Sequence, residues 1–224
     1  MNNHSNISLS RVEKRRKDAL ERVLETATML FSRQGFFETS IAEIAQAADV
    51  SVGTVYNLVE SKEALYRTLV HKKTLIFHQR LKLAMERGGS PRDRIERVLV
   101  EKLELFRDEA AAIHMYFTIN AAARVSPSTG FPLAAKEVYD QGLNMLAGVI
   151  EEGTRGGYFA AVDSLRAATA VQAATTEIYL LHLEDPHAHP REAVLGDVLR
   201  LVFKGLLGPN NRPGLADQTA GEED

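Results

Sequence analysis

One short run, SVGTVYN, holds the side chains of this sequence that are best suited to chemistry. Ser51, Thr54 and Asn57 carry groups that can hydrogen-bond base edges or phosphate oxygens, and Gly53 lets a backbone come close to whatever lies against it. Tyr56 adds a phenol to the same run. No lysine or arginine lies within it. Positive charge for a nucleic-acid partner must therefore come from the flanking residues.

The run lies in the second of two short helices that the sequence predicts. In the first helix, apolar residues recur at i, i+3, i+4 and i+7, so they share one face. These residues are Ile41, Ile44, Ala45 and Ala48. Ser40 and Glu43 can form a capping box at its start, and Ser51 can cap the second helix, which extends to Leu58. Two short helices joined by about three residues form a helix-turn-helix, whose second helix can enter a DNA major groove.

Two flanking features can supply positive charge. Lys62 follows the cap Ser61 at the start of the next helix, where free N–H groups and the helix dipole favour an anion such as phosphate. A basic cluster lies near the N-terminus, where it can reach phosphates or an adjacent minor groove, although such clusters are often only solvated helix starts. Its members are Arg11, Lys14, Arg15, Arg16 and Lys17. We select Arg15 and Arg16 as candidate DNA contacts.

Over about residues 14–70 the sequence resembles the DNA-binding domain of TetR-type (TetR/AcrR) transcriptional regulators. The segments that carry the resemblance are Phe36-Phe37-Glu38-Thr39, Ile44-Ala45, Val50-Ser51-Val52-Gly53-Thr54-Val55-Tyr56 and Ser61-Lys62-Glu63-Ala64-Leu65. Asp49 stands where the family turn commonly has glycine, and aspartate tolerates the left-handed conformation better than most residues. Leu58 and Val59 stand where an aromatic pair often follows the tyrosine; Val59 is expected to keep its packing role.

The resemblance implies an all-α protein with two parts. Residues 10–60 would form a helix-turn-helix DNA-binding domain, and residues 61–208 a helical-bundle domain for effector binding and dimerisation. Residues 1–9 and 209–224 are polar and are expected to be disordered tails. The implied function is a ligand-responsive transcriptional repressor, released from a near-palindromic DNA operator by a small apolar or amphipathic effector.

The resemblance also implies a role for each candidate DNA-binding residue. Expected phosphate contacts are Thr39, Ser40, Tyr56 and Lys62. Expected contacts to bases are Ser51, Thr54 and Asn57, with Gly53 allowing close approach. Neither a catalytic residue nor a cofactor or metal is expected.

Composition agrees with a folded protein and bears only weakly on the DNA partner. The chain has 224 residues, 45% of them hydrophobic, and no cysteine. It lacks a run of eighteen apolar residues and an export signal, so we expect a cytoplasmic protein with no membrane partner. The net charge of −3 divides into +2 over residues 1–73 and −5 over the remainder. This asymmetry favours a DNA-binding N-terminal part without establishing one.

Apolar periodicity and breaker residues predict helices along the whole chain and no strand. The first begins after Ser10, with Glu13 completing a capping box, and ends at Gly35. The others are predicted over residues 62–87, 91–106, 109–124, 132–153, 164–184 and 191–207. The last two helices could pair with their symmetry copies as a four-helix homodimer interface, or complete the core of one monomer. We favour the dimer, because a protein that binds two half-sites of an operator is expected to have two-fold symmetry.

Polar residues within the apolar helices suggest a pocket for a small-molecule effector. Tyr116 and Asn120 share one helix face, and Thr169, Gln172, Thr176 and Tyr179 share another. If buried, such groups need hydrogen-bond partners, which an effector, water, the dimer seam or one another could supply. The candidate ligand-binding residues are Phe77, Leu81, His114, Tyr116, Phe117, Asn120, Gln172, Thr176 and Tyr179. An effector between helices four and eight would move helix four as a lever and oppose DNA binding.

Two other classes of function compete with the regulator. One is a helical ligand-binding or scaffolding protein whose helix-turn-helix contacts another protein. The other is a metal-dependent helical enzyme, for which His187 and His189 would be the candidate ligands. Histidines two apart in a proline-bounded loop lack the i, i+4 spacing of a helical zinc pair, and no catalytic motif is present.

Overall fold

The computed structural model describes residues 10–124 and 128–206, and within these ranges it is entirely helical, as predicted. Its helices are α1 (Arg11–Gln34), α2 (Ile41–Ala47), α3 (Val52–Leu58), α4 (Lys62–Glu86), α5 (Pro91–Asp108), α6 (Ala110–Ile119), α7 (Leu133–Arg155), α8 (Ser164–Glu184) and α9 (Arg191–Arg200). A 3-10 turn, Ala121–Arg124, follows α6, and a π-helical turn, Leu201–Leu206, follows α9. The predicted tails at 1–9 and 209–224 lie outside the described residues.

Side-chain caps fix where the first three helices begin. The Ser10 hydroxyl accepts from the Glu13 N–H, and the Glu13 carboxylate accepts from the Ser10 N–H at 2.8 Å. Ser40 and Glu43 form the same capping box on α2. The Ser51 hydroxyl accepts from the N–H of Thr54 at the start of α3. Each cap stabilises its helix by about 1 kcal/mol, and all three predicted starts are confirmed.

The turn between α2 and α3 closes with the left-handed residue that the sequence places there. Asp49 has a φ of 54°, the only positive φ of a residue other than glycine within the described ranges. The Val50 N–H donates to the Ala45 carbonyl at 3.0 Å, and the Asp49 N–H donates to the Gln46 carbonyl at 3.2 Å. These two bonds form a Schellman motif, which satisfies the last carbonyls of α2.

The described residues divide into two compact units, one formed by residues up to 79 together with 105–139, the other by 80–104 with the chain from 140 onward. The core of the first unit includes Phe31, Ile44, Val55 and Leu65, and Met115 of α6 packs into the same cluster. Helix α6 therefore belongs to the core that supports the helix-turn-helix. The functional boundary after residue 60 stays a prediction.

Helix α6 ends at Ile119, five residues before the predicted end at Arg124. Asn120 is the C-cap residue, where the backbone leaves the helical conformation with a φ of −118° and a ψ of 72°. Its N–H makes the last i→i−4 bond of the helix, to the Tyr116 carbonyl, and the chain continues as the 3-10 turn Ala121–Arg124. Among the described residues, none of the helices is both long enough and apolar enough to span a membrane.

Candidate nucleic-acid interface

Helix α3 presents its polar residues outward, as a DNA-reading helix must. Ser51, Gly53, Tyr56 and Asn57 are exposed, and Thr54 is half-buried. On the opposite side, Val55 and Val59 are buried in the core, and Leu58 is partly buried against it. The Ser51 and Thr54 hydroxyls lie 2.8 Å apart and share a hydrogen bond. Both hydroxyls keep further hydrogen-bonding capacity for a ligand.

An open cleft of about 480 Å³ lies where the starts of α2 and α4 meet α3. Its lining residues are Ser40, Ile41, Ala42, Val52, Tyr56, Ser61, Lys62 and Glu63. Ser40 and Tyr56, two of the predicted phosphate contacts, therefore face one concave surface. The Ser40 hydroxyl is exposed but donates to the Glu43 carboxylate at 2.8 Å. The Ser40 backbone N–H donates to the same carboxylate at 2.7 Å, and this bond, together with that of the hydroxyl, holds the pKa of Glu43 below its usual value.

Thr39 does not present its hydroxyl for a phosphate contact. The residue is only 1% exposed, and its Oγ1 donates to the carbonyl of Gly35 at 2.7 Å. In this structure the side chain closes the loop between α1 and α2, and its phosphate contact stays a prediction.

Lys62 holds the α1–α2 loop in this structure, and its phosphate contact stays a prediction. Its Nζ donates to the carbonyls of Phe36 at 2.8 Å, Thr39 at 2.9 Å and Phe37 at 3.3 Å. The same ammonium lies 4.6 Å from the centroid of the Phe36 ring. An ammonium has three N–H groups, and these carbonyls use all three. Lys62 thereby ties the first residue of α4 to the α1–α2 loop.

The basic cluster at the start of α1 lies open to solvent. Arg15 and Arg16 are exposed, as are Arg11, Lys14 and Lys17. These five cations occupy the first two turns of one helix, next to the capped Ser10. They form a cluster of accessible positive charges in the first unit that can approach phosphates.

Candidate effector residues in the first unit are bonded to one another. Asn120 Nδ2 donates to the Tyr66 hydroxyl at 2.6 Å, and the Tyr116 hydroxyl donates to the Thr129 carbonyl at 2.6 Å. Burial raises the pKa of both tyrosines, so both phenols stay protonated. In these bonds the Tyr66 hydroxyl accepts and the Tyr116 hydroxyl donates. Phe117 stacks edge-on with Tyr116. This arrangement matches the alternative in which the polar groups satisfy one another.

Phe77 and His114 are the other candidate ligand-binding residues of the first unit, and they lie at two different places. The Phe77 ring packs edge-on against Phe106 at 6.3 Å, inside the unit. His114 is exposed on the surface of α6. Its side chain does not line the interior of the described structure, so its predicted place in a pocket is corrected to a surface position.

In the second unit, the polar stripe of α8 converges on a lysine that the sequence reasoning overlooked. Lys102 of α5 is 3% exposed, and its Nζ donates to Thr175 Oγ1, Thr176 Oγ1 and Gln172 Oε1 at 2.8–2.9 Å. Burial away from water holds the pKa of Lys102 well below its usual value. The Tyr179 hydroxyl donates to the Leu99 carbonyl at 2.8 Å.

A signal for Lys102 was present in the sequence. It follows Leu99 by three residues and precedes Phe106 by four, so it lies within the apolar stripe of its helix.

Leu81, the remaining candidate ligand-binding residue in this unit, is half-buried on α4. His182 Nδ1 lies 2.7 Å from the His189 carbonyl. Over the described ranges, the acidic and histidine side chains form no group suited to a metal ion.

Comparison with known proteins decides the family of this fold. Residues 23–69, which span the end of α1 through the start of α4, match the family described as bacterial regulatory proteins, tetR family. The repressor NemR of Escherichia coli strain K12 is 33% identical over 79 residues, which are 35% of this chain and 40% of NemR. The helix-turn-helix region of this chain, residues 23–69, belongs to the TetR family. It spans half or less of the length of the curated relatives it matches.

Solved structures share the fold over most of this TetR-family chain. The regulator FadR of Bacillus subtilis, in complex with stearoyl-CoA, superimposes with a TM-score of 0.69 at 18% identity and covers 83% of this chain and 98% of its own. A protein from Saccharomonospora viridis, in complex with choline, gives 0.67 at 21% identity, with 83% and 96% covered. At these identities the likeness concerns the fold alone. The TetR family is not enzymatic, which agrees with the expectation from the missing motifs.

Proposed function

We propose that this TetR-family protein is a DNA-binding transcriptional repressor that acts as a homodimer and is released by a small-molecule effector. The observation that carries the proposal is the exposed polar face of α3, held by a buried apolar face that includes Val55. Such a helix can lie in a major groove while the core behind it stays intact.

Different residues serve different parts of the DNA in this proposal. Ser51, Thr54 and Asn57 approach base edges, where hydroxyl and amide groups give sequence preference. Ser40 and Tyr56 contact phosphates from the cleft between α2, α3 and α4. Arg15, Arg16 and the neighbouring cations of α1 supply the ionic part of the affinity.

Gly53 has the clearest structural support among these assignments. An alanine Cβ at this position would meet, within 4 Å, the Ser51 hydroxyl oxygen alone, at 3.8 Å. The free protein therefore has room for a side chain, and its backbone there does not need glycine. Close approach of DNA supplies the physical reason for a glycine at an exposed helical position.

The homodimer is proposed through α8 and the chain from α9 onward. Leu181 is exposed on α8, and Leu201 is exposed in the π-helical turn that follows α9. A two-fold pairing of these two elements would bury the leucines and present two heads to two half-sites. Leu181→Glu with Leu201→Glu is expected to give monomers in sedimentation analysis, whereas Leu133→Glu, at another exposed leucine, is expected to leave the dimer intact.

The effector is proposed to be a small apolar or amphipathic molecule. Support comes from the fold, since two proteins that share it have structures in complex with stearoyl-CoA and with choline. Effector and DNA would oppose each other through one coupling free energy, so each weakens the other equally. The mutual hydrogen bonds of Asn120 with Tyr66, and of Lys102 with α8, would have to open or rearrange to admit polar groups of a ligand.

Fluorescence anisotropy with two duplexes tests the repressor proposal. One duplex is the DNA upstream of the protein's own gene, and the other is a random sequence of the same length. We expect tighter binding to the upstream duplex and a linear fall of log K with log salt. Equal affinity for both duplexes, or no binding at low salt, would refute a sequence-reading regulator.

A further inference from the structure

Tyr66 of α4 packs against two hydrophobic clusters of the first unit. One is the core behind the helix-turn-helix, which includes Ile44 and Val55. The other surrounds Tyr116 of α6 and includes Ala135 of α7. Tyr66 lies at the edge of both, half-buried. A displacement of either cluster therefore reaches the other through this side chain.

The hydroxyl of Tyr66 is bonded to the end of α6. It accepts a hydrogen bond from Asn120 Nδ2 at 2.6 Å, and the same amide nitrogen donates to the Tyr116 carbonyl at 3.0 Å. Asn120 is also the residue at which α6 ends. The bond thus joins α4 to the part of α6 that carries the candidate ligand-binding residues Tyr116, Phe117 and Asn120.

The ring of Tyr66 contacts the loop that precedes the helix-turn-helix. It packs edge-on against Phe36, with centroids 5.6 Å apart. Phe36 lies 5.1 Å from the ring of Phe31 in the core, and its carbonyl accepts from the Lys62 ammonium. Lys62 and Tyr66 are four residues apart and lie on one face of α4. Both therefore hold the same loop residue, four positions before the cap Ser40 of α2.

We propose that Tyr66 is a positioning residue that couples the end of α6 to the helix-turn-helix, so that opening its hydrogen bond with Asn120 weakens DNA binding. This inference rests on the proposed DNA-binding function and adds a residue that acts without touching DNA. While the bond is closed, the Tyr66 ring is held against Phe36 and supports the α1–α2 loop. A polar group of an effector that takes over the Asn120 amide releases the ring, and the loop loses this support. Effector and DNA then oppose each other through one contact with two states.

Two tyrosines offer a matched comparison. Tyr66→Phe and Tyr116→Phe each keep the ring and delete one hydroxyl that makes a hydrogen bond of 2.6 Å. The Tyr66 ring contacts Phe36, whereas the Tyr116 ring packs on Phe117 and Phe131. With the upstream duplex as the probe, Tyr66→Phe is expected to bind roughly fivefold more weakly, with an unchanged salt slope. Tyr116→Phe is expected to bind as wild type does, and thermal unfolding checks that both variants fold.

Asn120→Ala removes the same hydrogen bond from the α6 side. It should weaken binding as Tyr66→Phe does, and the double variant should bind no more weakly than either single variant. Hydrogen exchange gives a second measurement that needs no DNA. Tyr66→Phe and Asn120→Ala should speed the exchange of the backbone amides of residues 35–40, and Tyr116→Phe should leave it unchanged.

The outcomes separate this coupling from the proposed function. Wild-type affinity in Tyr66→Phe, equal losses in Tyr66→Phe and Tyr116→Phe, additive losses in the double variant, or unchanged exchange in the loop would each overturn the inference while the proposed function stands. Absence of wild-type binding to the upstream duplex at low salt would refute the proposed function. The exchange of residues 35–40 would then decide by itself whether Tyr66 couples α6 to the loop.

Discussion

The ammonium of Lys62 lies 2.8 Å from the carbonyl oxygen of Phe36 and 4.6 Å from the centre of its ring, so one side chain engages the same loop residue twice. Bonds to the carbonyls of Thr39 and Phe37 complete its donor capacity. The start of α4 is thereby fixed to the loop that leads into α2. If the first turn of α4 moves, the α1–α2 loop must therefore move with it. Ser40, which caps α2, would move with this loop.

Substitution of Lys62 by methionine is expected to affect stability more than salt dependence. Hydrogen bonds to a charged donor contribute about 1–2 kcal/mol, so Lys62→Met should lower the free energy of unfolding by that order in urea titrations. DNA affinity should fall for all sequences, because the cleft loses its geometry, while the slope against log salt stays constant. Lys82→Met, on the exposed side of α4, serves as the control. Unchanged stability with a slope reduced by about one would instead support the phosphate contact.

Gly53→Ala separates folding from DNA binding. Alanine is favoured over glycine within a helix by up to about 1 kcal/mol, and the free protein has room for its methyl group, so the melting temperature should rise slightly. Binding to the upstream duplex should fall by at least about tenfold, because the methyl group holds the backbone away from the groove. Gly148→Ala in α7 also places a methyl group in open space and should leave DNA binding intact. An unaffected Gly53→Ala would remove this position from the interface.

Asp49→Gly should stabilise the helix-turn-helix. Asp49 has a φ of 54°, and a left-handed conformation costs a residue with a Cβ about 1 kcal/mol. Glycine removes that cost, so the free energy of unfolding should increase by this order. Asp49→Ala removes the charge but keeps the Cβ, and it should show no gain. Equal stabilisation by both substitutions would mean that charge, not backbone conformation, limits the turn.

Lys102 predicts a characteristic pH dependence of stability. Burial lowers the pKa of its ammonium in the folded protein, so the unfolded chain binds more protons than the folded one between the folded pKa and the unfolded value of about 10.4. Stability should therefore rise with pH across this interval. In paired unfolding titrations between about pH 7 and about pH 9.5, wild type should gain stability relative to Lys102→Met. A difference that stays constant over this range would contradict the lowered pKa.

Local signals in the sequence predicted the head with good accuracy. The capping boxes of Ser10 and Ser40, and the left-handed Asp49, depend on residues no more than five apart, so their partners are visible in the sequence. Helix α6 is shorter than predicted, because apolar periodicity carries no signal for the C-cap at Asn120, where the backbone leaves the helical conformation.

Roles that depend on distant partners could not be predicted from local spacing. Lys62 bonds to carbonyls 23 to 26 residues earlier, and Lys102 bonds to hydroxyls more than 70 residues later. From the sequence, a lysine at the start of a helix is expected to be solvated, because the carbonyls that it binds come near only when the chain folds. The bonds of Lys62 to the loop could therefore not be predicted from its position, whereas its contact with a phosphate stays a prediction.

The central claim is that the exposed face of α3 reads DNA sequence. Its most direct test is the affinity of Asn57→Ala for the upstream duplex and for random DNA of equal length, each at several salt concentrations. The account predicts roughly tenfold weaker binding to the upstream duplex, unchanged binding to random DNA and an unchanged salt slope, because Asn57 contacts bases and carries no charge. Equal losses on both duplexes, or no loss on either, would contradict it.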